Sequence, residues 1–180
     1  LEVGTILCLQ DGMDAVRAIR KAHPEKIILA DTKCADAGKT VARNAADAGA
    51  DWMTVMCNAT IPTMQAAMGE VKELQVELYG DWTFEDAQKW RDIGIEQVIY
   101  HQSRDALLSG ETWGEKDLTK IKKLVDMGFE VSVTGGLNVD TLQIFKGIDV
   151  ACFIAGRGIA EAENPKKAAE DFKNKINEIF

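Results

Sequence analysis

The chain has 180 residues, 46% hydrophobic and 28% charged, which is ordinary globular composition with enough apolar mass for one sizeable core. Its 29 acidic against 21 basic residues leave a net charge of -8 with no Lys/Arg-rich block to track a phosphate backbone, which argues against nucleic acid as a partner. No apolar run approaches the roughly 20 residues that span a bilayer and no basic-then-apolar leader opens the chain, so the expectation is a cytoplasmic protein with no membrane partner.

Short β-rich runs are predicted at residues 2–5, 27–31, 52–56, 75–79, 97–101, 130–134 and 150–155. Helical spacing falls between them at 12–22, 37–47, 61–74, 84–93, 116–127, 139–145 and 165–180. Asn164 before Pro165 reads as an N-cap with proline in the first turn, and Thr83 followed by Asp86 reads as a capping box. Gly49, Gly94 and Gly128 stand where helix C-caps call for positive φ.

Seven βα repeats with short connections predict a parallel sheet. No G-x-G-x-x-G follows the first strand, so a closed (β/α)8 TIM barrel is favoured over an open doubly wound sheet. Such a barrel has eight strands and about 250 residues, whereas this chain starts at Leu1 already inside a strand. The expectation is a single TIM-barrel domain over residues 1–180 whose first βα unit lies outside the sequence. The helix at 61–74 runs into the strand at 75 without a turn residue, which suggests that loop residues are missing there too.

Barrel chemistry collects where strands end, and the strand ends here carry Glu2 and Thr5, Asp31 with Lys33 and Asp36, Glu77, His101 with Arg104, Thr134-Gly135-Gly136 and Gly156-Arg157. Asp31 and Lys33, two apart on an extended backbone, point to one face. Glu2 and Asp31 from neighbouring strands can share a hard divalent cation such as Mg2+. Lys33 beside them keeps its charge and can stabilise an anion forming on a substrate. A lone D-x-K would be an ordinary ion pair; several charges at the same end of successive strands point to a site.

The segments VTGG (133–136) and IAGRG (154–158) follow the last two strands, where glycines and Arg157 suit a phosphate. His101 ends its strand with a side chain suited to proton transfer. His23, before Pro24 at the opposite end, is given no role. Trp52 and Trp90 read as packing residues, while Trp82 and Trp113 lie in loops on the site's side. Cys8, Cys34, Cys57 and Cys152 form no C-x-x-C pair and read as reduced thiols without metal or redox work.

Together EVGT (2–5), ADTKCADAG (30–38), VEL (76–78), YHQSRD (100–105), VTGG and IAGRG resemble the 3-keto-L-gulonate 6-phosphate decarboxylase family, within the orotidine monophosphate decarboxylase superfamily, over essentially the whole chain. D-x-K-x-x-D marks the superfamily and H-x-x-R this branch. The resemblance implies a Mg2+-dependent homodimer that removes CO2 from 3-keto-L-gulonate 6-phosphate through a cis-enediolate, giving L-xylulose 5-phosphate in L-ascorbate catabolism. It implies Glu2 and Asp31 on the metal, with Asp31 also facing substrate, and Lys33 on the enediolate.

His101 and Arg104 would position the protonating water, and Glu77 would bond substrate hydroxyls. Thr134, Gly135, Gly136, Gly156 and Arg157 would line the phosphate site. Asp36 would reach across the dimer interface to Lys33 of the neighbouring subunit. The family's first strand supplies a further active-site Asp that this sequence does not contain. The rival readings are hexulose 6-phosphate synthase, which needs the same Glu2, Asp31 and Lys33, and a non-catalytic sugar-phosphate sensor, for which the phosphate loops would suffice.

Overall fold

The computed structural model describes residues 1–180, which divide into two compact units, Leu1–Val98 and Ile99–Phe180. No helix is long and apolar enough to cross a membrane.

The first unit runs β1 (Glu2–Val3), α1 (Thr5–Asp11), α2 (Met13–Ala22), β2 (Leu29–Cys34), α3 (Gly38–Asp47), β3 (Trp52–Met56), α4 (Ile61–Met68), β4 (Glu73–Leu78) and α5 (Phe84–Asp92). Strands β1 to β4 pair in chain order and in parallel. Val3, Ala30, Met53, Val55, Leu74 and Val76 from the strands meet Val16, Ala42, Ala45, Met64, Ala67 and Trp90 from the helices in a buried apolar layer. Each of those side chains loses nearly all contact with water, which supplies the main drive for assembling βα units. Gly38 opens α3 against the backbone of α4: a Cβ there would lie 2.1 Å from the Thr63 carbonyl oxygen.

Strand β5 (Gln97–His101) begins in the first unit and ends in the second. The second unit continues with α6 (Arg104–Leu108), α7 (Glu115–Asp126), β6 (Glu130–Thr134), a 3-10 turn (Thr141–Phe145), β7 (Val150–Ile154), α8 (Arg157–Ala160) and α9 (Pro165–Ile179). Strands β6 and β7 pair in parallel, with Thr134 opposite Ile154. Ile121, Leu124, Val131, Val133, Leu142 and Phe145 fill its core, and Trp113 packs edge-on to Phe145 at 5.1 Å between ring centres.

Several expected boundaries move. The strand at 2–5 shortens to Glu2–Val3, and Thr5 instead opens a helix. The strand at 27–31 shifts to Leu29–Cys34, which takes Lys33 into the strand. The helix expected at 61–74 ends earlier and the strand at 75 begins earlier: α4 stops at Met68 and β4 starts at Glu73, with residues 69–72 connecting them. Thr83 and Asp86 do form the capping box, and Asn164 caps α9 by accepting the Lys167 N–H at 3.0 Å.

Candidate active site

Four elements of the first unit bring a charged cluster together. Gly4 is extended and N-caps α1, so the first helical N–H, that of Thr5, is left over for another acceptor. That acceptor is Asp31 Oδ2 on β2, which takes the Thr5 N–H at 3.1 Å and the Thr5 hydroxyl at 2.5 Å. Asp31 Oδ1 accepts from the hydroxyl of Thr54 on β3 at 2.9 Å. Lys33 Nζ lies 3.1 Å from both Asp31 oxygens and 2.6 Å from both oxygens of Glu77 on β4.

The side chains of Asp31 and Glu77 are 9% and 2% exposed, and that of Lys33 27%. Burial works against charge on both Asp31 and Lys33. Even so, the Lys33 charge and the Thr5, Lys33 and Thr54 hydrogen bonds hold the Asp31 carboxyl below its usual range. For Lys33, Asp31 and Glu77 overcome burial and raise its ammonium above the ordinary lysine value. It is therefore a fixed cation at neutral pH.

Glu2, on β1, is exposed as a residue, but withdrawal of its carboxyl from water and then repulsion from Asp31 push that group up to about 7. Three carboxyl groups face one ammonium here, an excess of acidic groups that a bound cation would offset and that would favour the ionised form of Glu2. No three His, Cys, Asp or Glu side chains converge as an all-protein metal cage. Two carboxylates fit Mg2+ better than such a cage, because that ion keeps positions for water and substrate. Asp36 lies beyond β2, exposed, and takes no part in its own chain's Lys33 cluster.

The second unit holds the remaining expected residues. His101 ends β5 half-buried, and Arg104 opens α6 on the surface after Ser103, whose Oγ accepts the Ala106 N–H. The Gln102 N–H donates to the Thr134 carbonyl at 2.9 Å, and the Thr134 hydroxyl donates to the Ile154 carbonyl at 3.1 Å. These bonds line up the ends of β5, β6 and β7.

Gly135 and Gly136 follow with φ of 104° and 62°, and a Cβ on Gly135 would lie 2.1 Å from the Gln102 carbonyl oxygen. Glycine is required there by conformation and by space. Gly156 precedes α8, is exposed, and has nothing within 4 Å of where a Cβ would sit. Arg157 is exposed beside it.

Of the tryptophans left open, Trp113 donates its indole N–H to the Gly135 carbonyl at 2.8 Å and so braces the glycine loop. Trp82 packs on Phe84 and Trp90. All four cysteines are free thiols; Cys34 and Cys57 are buried as expected, while Cys152 is exposed. Two site residues went without a role in the sequence reading. Thr5 was visible in EVGT, but its bonds to Asp31 depend on the helix start. Thr54 sits in a plain strand, WMTVM, and nothing in that run marks it.

Residues 1–172 match the orotidine 5'-phosphate decarboxylase / HUMPS family. The chain belongs to that family. This orotidine 5'-phosphate decarboxylase / HUMPS member is 53% identical to the 3-keto-L-gulonate-6-phosphate decarboxylase UlaD of Salmonella paratyphi B, over 100% of this chain and 85% of the relative.

Among solved structures it is similar to KGPDC from Streptococcus mutans in complex with a sugar phosphate, at 62% identity and a TM-score of 0.98 over 99% of this chain and 85% of that one. It is also similar to 3-keto-L-gulonate-6-phosphate decarboxylase from Vibrio cholerae, at 43% identity and a TM-score of 0.91, with the same coverage of both chains. The fold class is therefore the TIM barrel expected from the βα repeats, represented in this chain by seven strands rather than eight, consistent with the expected missing first unit.

Proposed function

We propose that the protein is a Mg2+-dependent carboxy-lyase that converts 3-keto-L-gulonate 6-phosphate to L-xylulose 5-phosphate and CO2, acting as a cytoplasmic homodimer in L-ascorbate catabolism. The observation that carries this reading is Lys33 held as a permanent cation between Asp31 and Glu77. The identity to UlaD over the whole chain supports the substrate class.

The substrate is a β-keto acid. When the bond from C1 to C2 breaks, its electron pair forms the double bond between C2 and C3, and the ketone oxygen becomes an oxyanion. A cation at that oxygen stabilises the transition state more than the ground state, because the charge develops only as CO2 leaves. Lys33 is suited to this: it is already charged, already oriented by two carboxylates, and mostly withdrawn from water.

Glu77, whose oxygens face the same ammonium, accepts hydrogen bonds from substrate hydroxyls and keeps them on the Lys33 side. Glu2 and Asp31 would hold Mg2+, which when bound supplies Lewis-acid stabilisation of the substrate's oxygens. The proton that replaces CO2 on C2 comes from water positioned by His101 and Arg104. Thr134, Gly135, Gly136, Gly156 and Arg157 take the phosphate, whose oxygens can approach glycine backbone closely and pair with a guanidinium. Asp36 serves the neighbouring subunit at its Lys33.

The test is CO2 release from 3-keto-L-gulonate 6-phosphate by the purified protein, with Mg2+ and with EDTA. Turnover that EDTA removes and Mg2+ restores is the expected result. No CO2 release at any Mg2+ concentration, with binding of the sugar phosphate intact, would reject the decarboxylase. Aldol addition of formaldehyde to ribulose 5-phosphate at a higher kcat/KM would transfer the assignment to a synthase.

A further inference from the structure

Lys33 is one of two non-glycine residues in the chain with positive φ, at 46°. That conformation is sterically costly for any side chain with a Cβ and persists only where neighbours over-determine it. The cause lies in the ladder between β2 and β3. Ala30 pairs with Met53 and Cys34 with Val55, so β2 spends four residue steps where β3 spends two, and the register shifts between them.

Thr54 is the β3 residue inside that interval. It is 0% exposed, and it is bonded to three successive residues of the bulge. Its hydroxyl accepts the Lys33 N–H at 2.9 Å and donates to Asp31 Oδ1 at 2.9 Å. Its carbonyl accepts the Thr32 hydroxyl at 3.0 Å.

In a regular ladder the Lys33 N–H would go to a carbonyl of β3. The bulge removes that partner, and the Thr54 hydroxyl takes its place. The same oxygen also donates, so one buried atom fixes the backbone that aims Lys33 and the carboxylate that Lys33 leans on.

We propose that Thr54 is a positioning residue for decarboxylation, acting on Lys33 and Asp31 rather than on substrate. This rests on the decarboxylase reading. Placement of a stabilising cation matters most where charge develops, so the effect belongs in kcat. Substrate binding through its phosphate and hydroxyls does not pass through Thr54, so KM should hardly move. Thr5 still holds Asp31 Oδ2, so the loss is partial.

The experiment is steady-state CO2 release by wild type, Thr54→Val and Thr54→Ser. Valine preserves the shape and deletes the hydroxyl, while serine keeps the hydroxyl. We expect Thr54→Val to lose about 10–100-fold in kcat, the range seen when partners of catalytic ligands are removed, with KM within about 3-fold. Thr54→Ser should recover kcat to within about 5-fold of wild type.

A valine variant with kcat within about 2-fold of wild type would overturn the proposal, as would a loss confined to KM or a serine variant as impaired as the valine one. Should Thr54→Val not fold, judged by circular dichroism and melting, Thr54→Ala against Thr54→Ser makes the same comparison. An inactive wild type would instead reject the decarboxylase reading itself.

Discussion

Lys33 keeps its charge because Asp31 and Glu77 outweigh its burial, and the same arithmetic makes it costly to remove. Lys33→Ala should lower kcat by about 10^2–10^3, the cost of deleting one preorganised electrostatic contact. It should also leave two carboxylates facing each other with their counter-charge gone. Because Lys33 is 27% exposed, that second cost is about 1–3 kcal/mol rather than the full value for a deeply buried pair, and urea titration would read it.

Asp51 shows a different use of a carboxylate. It accepts the Ile28 N–H at 3.0 Å, pairs with Lys72 at 2.7 Å and bonds Arg20, whose guanidinium also donates to the carbonyls of Gly49, Pro24 and Lys26. Burial opposes its charge, but the Lys72, Ile28 and Arg20 bonds bring its carboxyl down to about 2. A depressed folded value contributes stability above the unfolded value near 3.8, and that stability drains as pH falls toward 2. Asp51→Asn should therefore cost about 1–2 kcal/mol at pH 7, and its deficit against wild type should shrink between pH 4 and pH 2 in denaturant titrations.

The charges at strand ends were legible as residue types, because Asp, Lys and Glu behind apolar runs are conspicuous. Their partners were not. Thr5, Thr54 and Asp51 are ordinary polar residues whose roles appear only when distant segments meet, Asp31 and Thr54 being 23 positions apart in the chain.

At the scale of elements, the glycine after β6 is set by space as well as by dihedral angle. A Cβ on Gly135 would sit 2.1 Å from the Gln102 carbonyl oxygen and 2.9 Å from its carbon, both backbone atoms that cannot swing aside. With φ of 104° added, Gly135→Ala should cost about 2–4 kcal/mol, because the loop must withdraw from the Gln102 backbone. Gly69→Ala is the matched control: it caps α4 at φ −73° with nothing within 4 Å, so alanine there should be neutral or stabilise by up to about 1 kcal/mol. Thermal melts of the two variants beside wild type make the comparison.

Elements with clear punctuation were readable from the sequence. The capping box at Thr83 and the Asn164-Pro165 start both form. Helix α1 was not readable, since TILCLQD buries none of its residues, and Ile6 and Leu9 are 63% and 76% exposed. Without a core-facing stripe, periodicity gives no helical signal. The bulge in β2 was hidden for a related reason: no residue in DTKC marks a bulge, and only the register with β3 shows one.

For the molecule as a whole, the reading of Asp36 makes the active unit a pair of chains, with Lys33 of one and Asp36 of the other in each site. Its exposure beyond β2, outside its own chain's Lys33 cluster, is what such sharing needs of the single chain. The arrangement has a consequence that no one-chain site can imitate. Take Lys33→Ala and Asp36→Ala, each expected to be nearly inactive alone, and let the subunits exchange. In a hybrid dimer one site receives both substitutions, while the other receives neither and is wild type. Random reassortment of equal amounts puts half the dimers in the hybrid form, each with one good site, so the mixture should recover about a quarter of wild-type activity. If Asp36 worked within its own chain, every site in the hybrid would carry one defect and mixing would restore nothing. Measuring CO2 release before and after subunit exchange, with sedimentation to confirm that the dimer persists, separates the two arrangements.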